Sequence, residues 1–119
     1  MDILDPHLKQ AIISALQDYI NFLGDDPDTQ TQLVIDEKSD RYLLIELGWQ
    51  SDRSASQSVR RIYGTLLHLD IINHKIWIQQ DGTEDGIASE LVALGISKQQ
   101  IVLGFKSEQR QHITEFVLS

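Results

Sequence analysis

Arg60-Arg61-Ile62-Tyr63-Gly64-Thr65-Leu66-Leu67-His68-Leu69-Asp70-Ile71-Ile72-Asn73-His74-Lys75-Ile76-Trp77-Ile78-Gln79-Gln80 is the stretch whose reading decides the fold. Two β-rich runs, 60–72 and 75–80, flank the dipeptide Asn73-His74, so they read as a hairpin with a two-residue turn. Asn accepts the positive φ such a turn demands, and His is a less favourable partner than the usual Gly. With a two-residue loop the cross-strand pairs follow from counting. Ile71 faces Ile76 and Leu69 faces Ile78, giving one apolar face that Leu67 extends. On the other face Asp70 meets Trp77 and His68 meets Gln79. A clean alternation specifies the register, because a one-residue slip would turn every apolar side chain to water.

Outward from the hairpin, two further β-rich segments lie at about 31–36 and 41–49, joined by Glu37-Lys38-Ser39-Asp40. The Ser-rich stretch from Gln50 to Val59 reads as a surface loop. Upstream, Leu8, Ile12, Leu16, Tyr19 and Leu23 recur at helical spacing, with Ile13 and Ile20 widening the stripe. They predict a helix over 6–23, opened by Asp5 as N-cap and Pro6 at the first helical position, and closed by Gly24. Downstream, Thr83 caps a predicted helix over 84–94 with Ile87, Ala88, Leu91 and Leu94 buried. Gly95 closes that helix, with Ile96 packing back over it. Ser97 and Gln100 have capping-box spacing for a short helical turn through Leu103. His112 to Leu118 alternates as a terminal strand. The order α-β-β-β-β-α-α-β gives an α+β single domain over 1–119: a mostly antiparallel sheet of about five strands, an N-terminal helix and a C-terminal helix pair.

Composition narrows function by exclusion. The chain has 119 residues, 18 acidic and 10 basic side chains, and a net charge of −8. One core is expected at this length. Residues 1–40 hold nine acids and two bases, so −7 of the charge sits in the N-terminal third. DNA binding needs clustered Lys and Arg, so the acidic balance argues against a direct DNA binder. With no cysteine, disulfide frameworks, thiol nucleophiles and thiolate metal sites are ruled out. Apolar runs stop far short of the ~20 residues that cross a bilayer, and Met1 leads into Asp2 and Asp5 with no basic flank. No membrane association and a cytoplasmic location are the expectation.

Two groupings could carry chemistry. His68 and Asp70 share a strand face with Trp77 and Gln79 opposite, and a carboxylate beside an imidazole can orient a general base or a metal ligand. The competing reading is a half-buried polar face held by cross-strand hydrogen bonds. Arg53, Arg60 and Arg61 concentrate positive charge in and after the Ser-rich loop, either as an anchor for an acidic partner or phosphate, or as a solvated strand end. Asp81-Gly82-Thr83-Glu84 offers oxygens to a cation but is explained by a turn and an N-cap. His7, His74 and His112 show no ligand spacing, and no Gly-rich phosphate loop, G-x-S-x-G elbow or H-E-x-x-H motif occurs. No catalytic residue, cofactor or metal site is assigned on these grounds.

A set of segments, in order, has the character of a known family: Gly48-Trp49-Gln50, Arg61-Ile62-Tyr63-Gly64, His68-Leu69-Asp70-Ile71-Ile72, the run Lys75 to Glu84, Gly86-Ile87-Ala88, Glu90-Leu91-Val92, Ile101-Val102-Leu103-Gly104-Phe105 and Thr114-Glu115-Phe116. Together they resemble the fdxN element excision controlling factor family, the XisI-like proteins of cyanobacteria, over almost the whole chain. The turn Asn73-His74, the length of loop 51–58 and Lys106-Ser107-Glu108-Gln109 depart from the family pattern. The resemblance implies an accessory, regulatory role in site-specific DNA excision during heterocyst differentiation, exerted through a XisH-like protein partner. It supplies no catalytic residues and no cofactor. Homodimerisation is the base-rate expectation for self-assembly. The alternative function is a small-ligand binder or enzyme that uses the His68, Asp70, Trp77 and Gln79 face.

Overall fold

A computed structural model describes residues 5–52 and 58–106. The side chain of Asp5, the residue Arg53 and the strand expected over 112–118 lie outside the described part. The elements are α1 (Asp5–Leu23), β1 (Thr29–Asp36), β2 (Arg41–Asp52), β3 (Ser58–Ile72), β4 (Lys75–Asp81), α2 (Ile87–Ala93), a 3-10 turn (Lys98–Gln100) and β5 (Ile101–Leu103). The five strands lie in the order β1-β2-β3-β4-β5, antiparallel except for the parallel pair β4–β5.

The central hairpin forms as the alternation requires. Asn73 and His74 take φ of 51° and 64°, the left-handed pair of a type I′ turn, and Ile71↔Ile76, Asp70↔Trp77 and Leu69↔Ile78 pair as expected. The expected His68–Gln79 pair does not form. A bulge intervenes, so His68 pairs with Gln80 and Leu67 with Asp81. Gln79 is the extra residue on β4.

Both helices cover one face of the sheet. Leu8, Ala11, Ile12, Ala15 and Leu16 of α1 are buried against Tyr42, Leu44, Leu67, Leu69, Ile76 and Ile78, with α2 adding Ile87 and Leu91. The buried stripe lies toward the Ala11 and Ala15 flank, with Ile13 only half-buried and Tyr19 and Ile20 packed at the margin of the core. Past Tyr19 the helix overhangs the sheet, leaving Phe22 80% and Leu23 38% exposed. Gly24 closes it with φ of 69°.

Three further expectations are corrected. First, α2 begins at Ile87 and not at Glu84, because Asp81 Oδ2 accepts the Ile87 N–H at 2.8 Å and Oδ1 accepts from the Thr83 N–H and hydroxyl at 2.9 and 2.6 Å. Thr83 therefore does not cap the helix; its hydroxyl accepts the Gly86 N–H. Leu94 is a partly exposed C-cap residue. Second, Ile101–Leu103 is a strand, since it finds the free edge of β4. Third, much of the expected loop 50–59 is strand: β2 runs on to Asp52 and β3 starts at Ser58, making a two-stranded ribbon beyond the end of β1. The first nine residues of β3 contain no buried position, while four of the last six are buried. Gly48 joins β1 to this ribbon: Trp49 N–H donates to Asp28 O at 2.9 Å, and a Cβ at Gly48 would run into that same oxygen and lie 2.7 Å from Thr29 Cα.

Candidate functional site

Strand alternation sends His68 and Asp70 to the face opposite α1. Asp70 is 5% exposed and is the buried charged residue among those described. β2 brings Arg41 directly opposite it, and the Arg41 Nε–H donates to Asp70 Oδ1 at 3.0 Å. His68 Nε2 lies 3.1 Å from both carboxylate oxygens. A carboxylate only accepts, so that nitrogen carries the proton. The Gln79 amide, freed from pairing by the bulge, donates to Oδ2 at 3.3 Å. Both oxygens are thus engaged by protein donors. Chemically the cluster can hold a buried carboxylate on the sheet face opposite α1 and fix the orientation of His68. Trp77 packs beside it, opposite Asp70, and Gly104 closes over this corner with its N–H on Ile78 O. A Cβ at Gly104 would meet Gln79 Oε1 at 2.7 Å.

His68, Asp70, Trp77 and Gln79 are therefore brought together, and Arg41 joins them. Sequence reasoning missed Arg41, because its place is set by the long-range β2–β3 register. Arg60 and Arg61 stand apart. Along an extended strand Arg61 is about 23 Å from His68. They also alternate to opposite faces of the ribbon. Arg61 lies over the Trp49 ring at 5.2 Å and donates to Gly48 O at 3.3 Å, while Arg60 donates to Gln50 Oε1 at 2.8 Å. No group of three metal-binding side chains occurs among the described residues, and no described helix is long and apolar enough to cross a membrane.

A second feature lies on the helix side. The overhanging end of α1 and the β4–α2 loop enclose an open cavity of about 350 Å³. Tyr19 and Phe22 stack along its wall with centroids 6.0 Å apart, and Asp18, Glu84, Asp85 and Glu90 line its rim. A hydrogen bond with Asp18, then partial burial, then the Asp18 charge raise the Glu90 carboxyl above its ordinary pKa. Burial, followed by the charges of Glu46, Asp81 and Glu84, pushes the Tyr19 phenol up. The signal for this site was Phe22, an aromatic off the apolar stripe and three residues from Tyr19.

Comparison with known proteins places these features in a family. The family model described as XisI protein matches residues 1–118. No curated protein gives a match. Among solved structures, the fdxN element excision controlling factor XisI from Anabaena variabilis is 32% identical with a TM-score of 0.78, covering 99% of this chain and 100% of that one. A XisI-like protein from the same organism is 30% identical with a TM-score of 0.75, covering 95% and 99%. The family model over residues 1–118 and the full-length structural matches agree: the chain belongs to the XisI family.

Proposed function

We propose that this chain is a non-catalytic accessory factor that controls site-specific DNA excision through contact with a XisH-like protein, in the cytoplasm of a cell undergoing heterocyst differentiation. The observation that carries the reading is the full-length relation to a protein named for excision control. The geometry supports contact in preference to chemistry. Asp70, which would orient His68 as a base, is held by Arg41 and Gln79 as well, and so serves the sheet. The partner's place is the helix-side cavity, where the Tyr19–Phe22 stack and the acidic rim suit an apolar, basic surface. DNA is not bound directly: the chain carries −8, and Arg60 and Arg61 point to opposite sides of the ribbon.

Co-expression with a XisH-like protein, followed by co-purification, tests the reading. A complex at low salt that weakens with Phe22→Ser and Asp18→Asn, both folded, is the expected result. Failure to associate at low salt, or tight binding of duplex DNA by the chain alone at moderate salt, would overturn it.

A further inference from the structure

Among the described residues, helices layer onto one face of the sheet only. From the registers, Val34, Leu43, Ile45, Leu47, Trp49 and Tyr63 all point to the other face, and Trp77 extends the same surface on β4. No described helix or strand covers it over β1, β2 and the first part of β3, whereas at its β4–β5 end Val102 and Asp70 are buried. Trp49 is 53% and Tyr63 71% exposed, whereas an antiparallel sheet facing water ordinarily alternates to polar residues on its wet side. A contiguous aliphatic and aromatic surface of this kind marks an interface.

We infer that this face is the interface of a homodimer, in which two copies pack outer sheet to outer sheet about a twofold axis. Charge selects the occupant. On a chain carrying −8, the outward strand positions hold Arg41, Arg61 and Lys75 against Asp36 and Asp70, so this surface is close to neutral and the acidity lies elsewhere. Two strongly acidic copies can approach through it with little repulsion, and it offers a charged partner little to recognise. Its buried acid is already supplied with donors: Arg41, His68 and Gln79 hold Asp70, so covering the face strands no carboxylate.

Size fits as well. Three strands at ~4.8 Å spacing and about eight residues of each give about 380 Å² in flat projection. Side-chain relief and the ribbon raise that toward the ~800 Å² per partner of a standard interface. An isologous contact lays the apolar stripe on itself, with Trp49, Tyr63 and Arg61 as the residue types that dominate binding energy. Facing sheets then sit about 10 Å apart with their strands within about 30° of one another. The association needs no second protein species and uses the face away from the helix-side cavity.

Both tryptophans of the chain lie on this face, so their fluorescence reports on it directly. Sedimentation equilibrium of the full chain should give twice the chain mass at micromolar concentration, with Trp emission shifting to the red on dilution into monomer. Tyr63→Glu, at a position too exposed to be needed for folding, should raise the dimer dissociation constant at least tenfold with unchanged circular dichroism, and Ile45→Glu should do more. Phe22→Ser should leave the mass unchanged. A wild-type monomer at high micromolar concentration would overturn the inference, as would a dimer untouched by Tyr63→Glu or one broken by Phe22→Ser. A monomer that still captures the XisH-like protein would overturn the dimer and leave the accessory role standing.

Discussion

Replacing Asp70 by alanine separates a structural polar cluster from a reactive one. The Asp70 side chain is 7% exposed and Arg41 50% exposed. Arg41 can therefore return to water when its acceptor is lost, and its bond contributes only about 0.5–1 kcal/mol. His68, at 27% side-chain exposure, and the half-buried Gln79 recover less hydration, so each costs about 1 kcal/mol. Asp70→Ala should destabilise the fold by about 2–3 kcal/mol. With a urea m-value of about 1.5 kcal/mol/M for a chain this size, the midpoint falls by about 1.5 M at unchanged slope. A double-mutant cycle with Arg41→Ala should return a coupling of about 1 kcal/mol. Asp70→Asn keeps the shape and loses the charge, so it should fall between. If Asp70→Ala moved stability by less than ~0.5 kcal/mol while abolishing a ligand-binding or catalytic activity, the reasoning would be refuted. The His68, Asp70, Trp77 and Gln79 face would then be a working site.

Other perturbations probe separate parts of the chain. Gly48→Ala drives a Cβ into the Asp28 carbonyl; a cost of about 1–3 kcal/mol is expected, with hydrogen exchange accelerating first in β1. Asp40 holds φ of 51°, so Asp40→Gly should stabilise by a few tenths of a kcal/mol in urea melts, and a loss would show that its side chain matters. Glu90 has a folded pKa raised by its hydrogen bond with Asp18, so its stabilising effect is full below the unfolded pKa and fades as pH rises through the folded one. Glu90→Gln should therefore raise the melting temperature at pH 7 by a small amount, with the gain vanishing below the usual carboxylate range. A gain that grew on acidification would contradict the raised Glu90 pKa.

What could be read from the chain without coordinates follows the distance over which each feature is decided. The Asn73-His74 turn and the pairing of Ile71 with Ile76 depend on adjacent residues, and period-two alternation carries them. Asp81 shows where local reading stops. Its neighbours Gly82 and Thr83 suggest a cap by Thr83, yet the carboxylate reaches six residues ahead to Ile87 and shortens the helix. Ile101-Val102-Leu103 is too short for periodicity to distinguish helix from strand; the open edge of β4 decides it. The Gln79 bulge and the Arg41–Asp70 pair are likewise long-range outcomes, which is why four of the five cluster residues were legible and Arg41 was not. Polar composition hid the ribbon, because strand pairing beyond the core needs no apolar face.

The placement of charge links these pieces. Residues 1–40 carry −7, and the described ones form α1, the turn after it, β1 and the turn into β2, while the outward face of β2, β3 and β4 is near neutral and apolar. On the proposed reading each surface then has its own use. The neutral face suits self-association, for which charge is a cost, and the acidic helix side stays exposed on both outer surfaces of the dimer. Such a dimer would repel DNA phosphates more strongly than one copy does, since its net charge doubles. Influence over a DNA rearrangement would have to pass through a protein that itself supplies the basic surface. Salt dependence makes the distinction measurable: the complex with the XisH-like protein should loosen as ionic strength rises, whereas the homodimer, built on apolar burial, should hold or tighten.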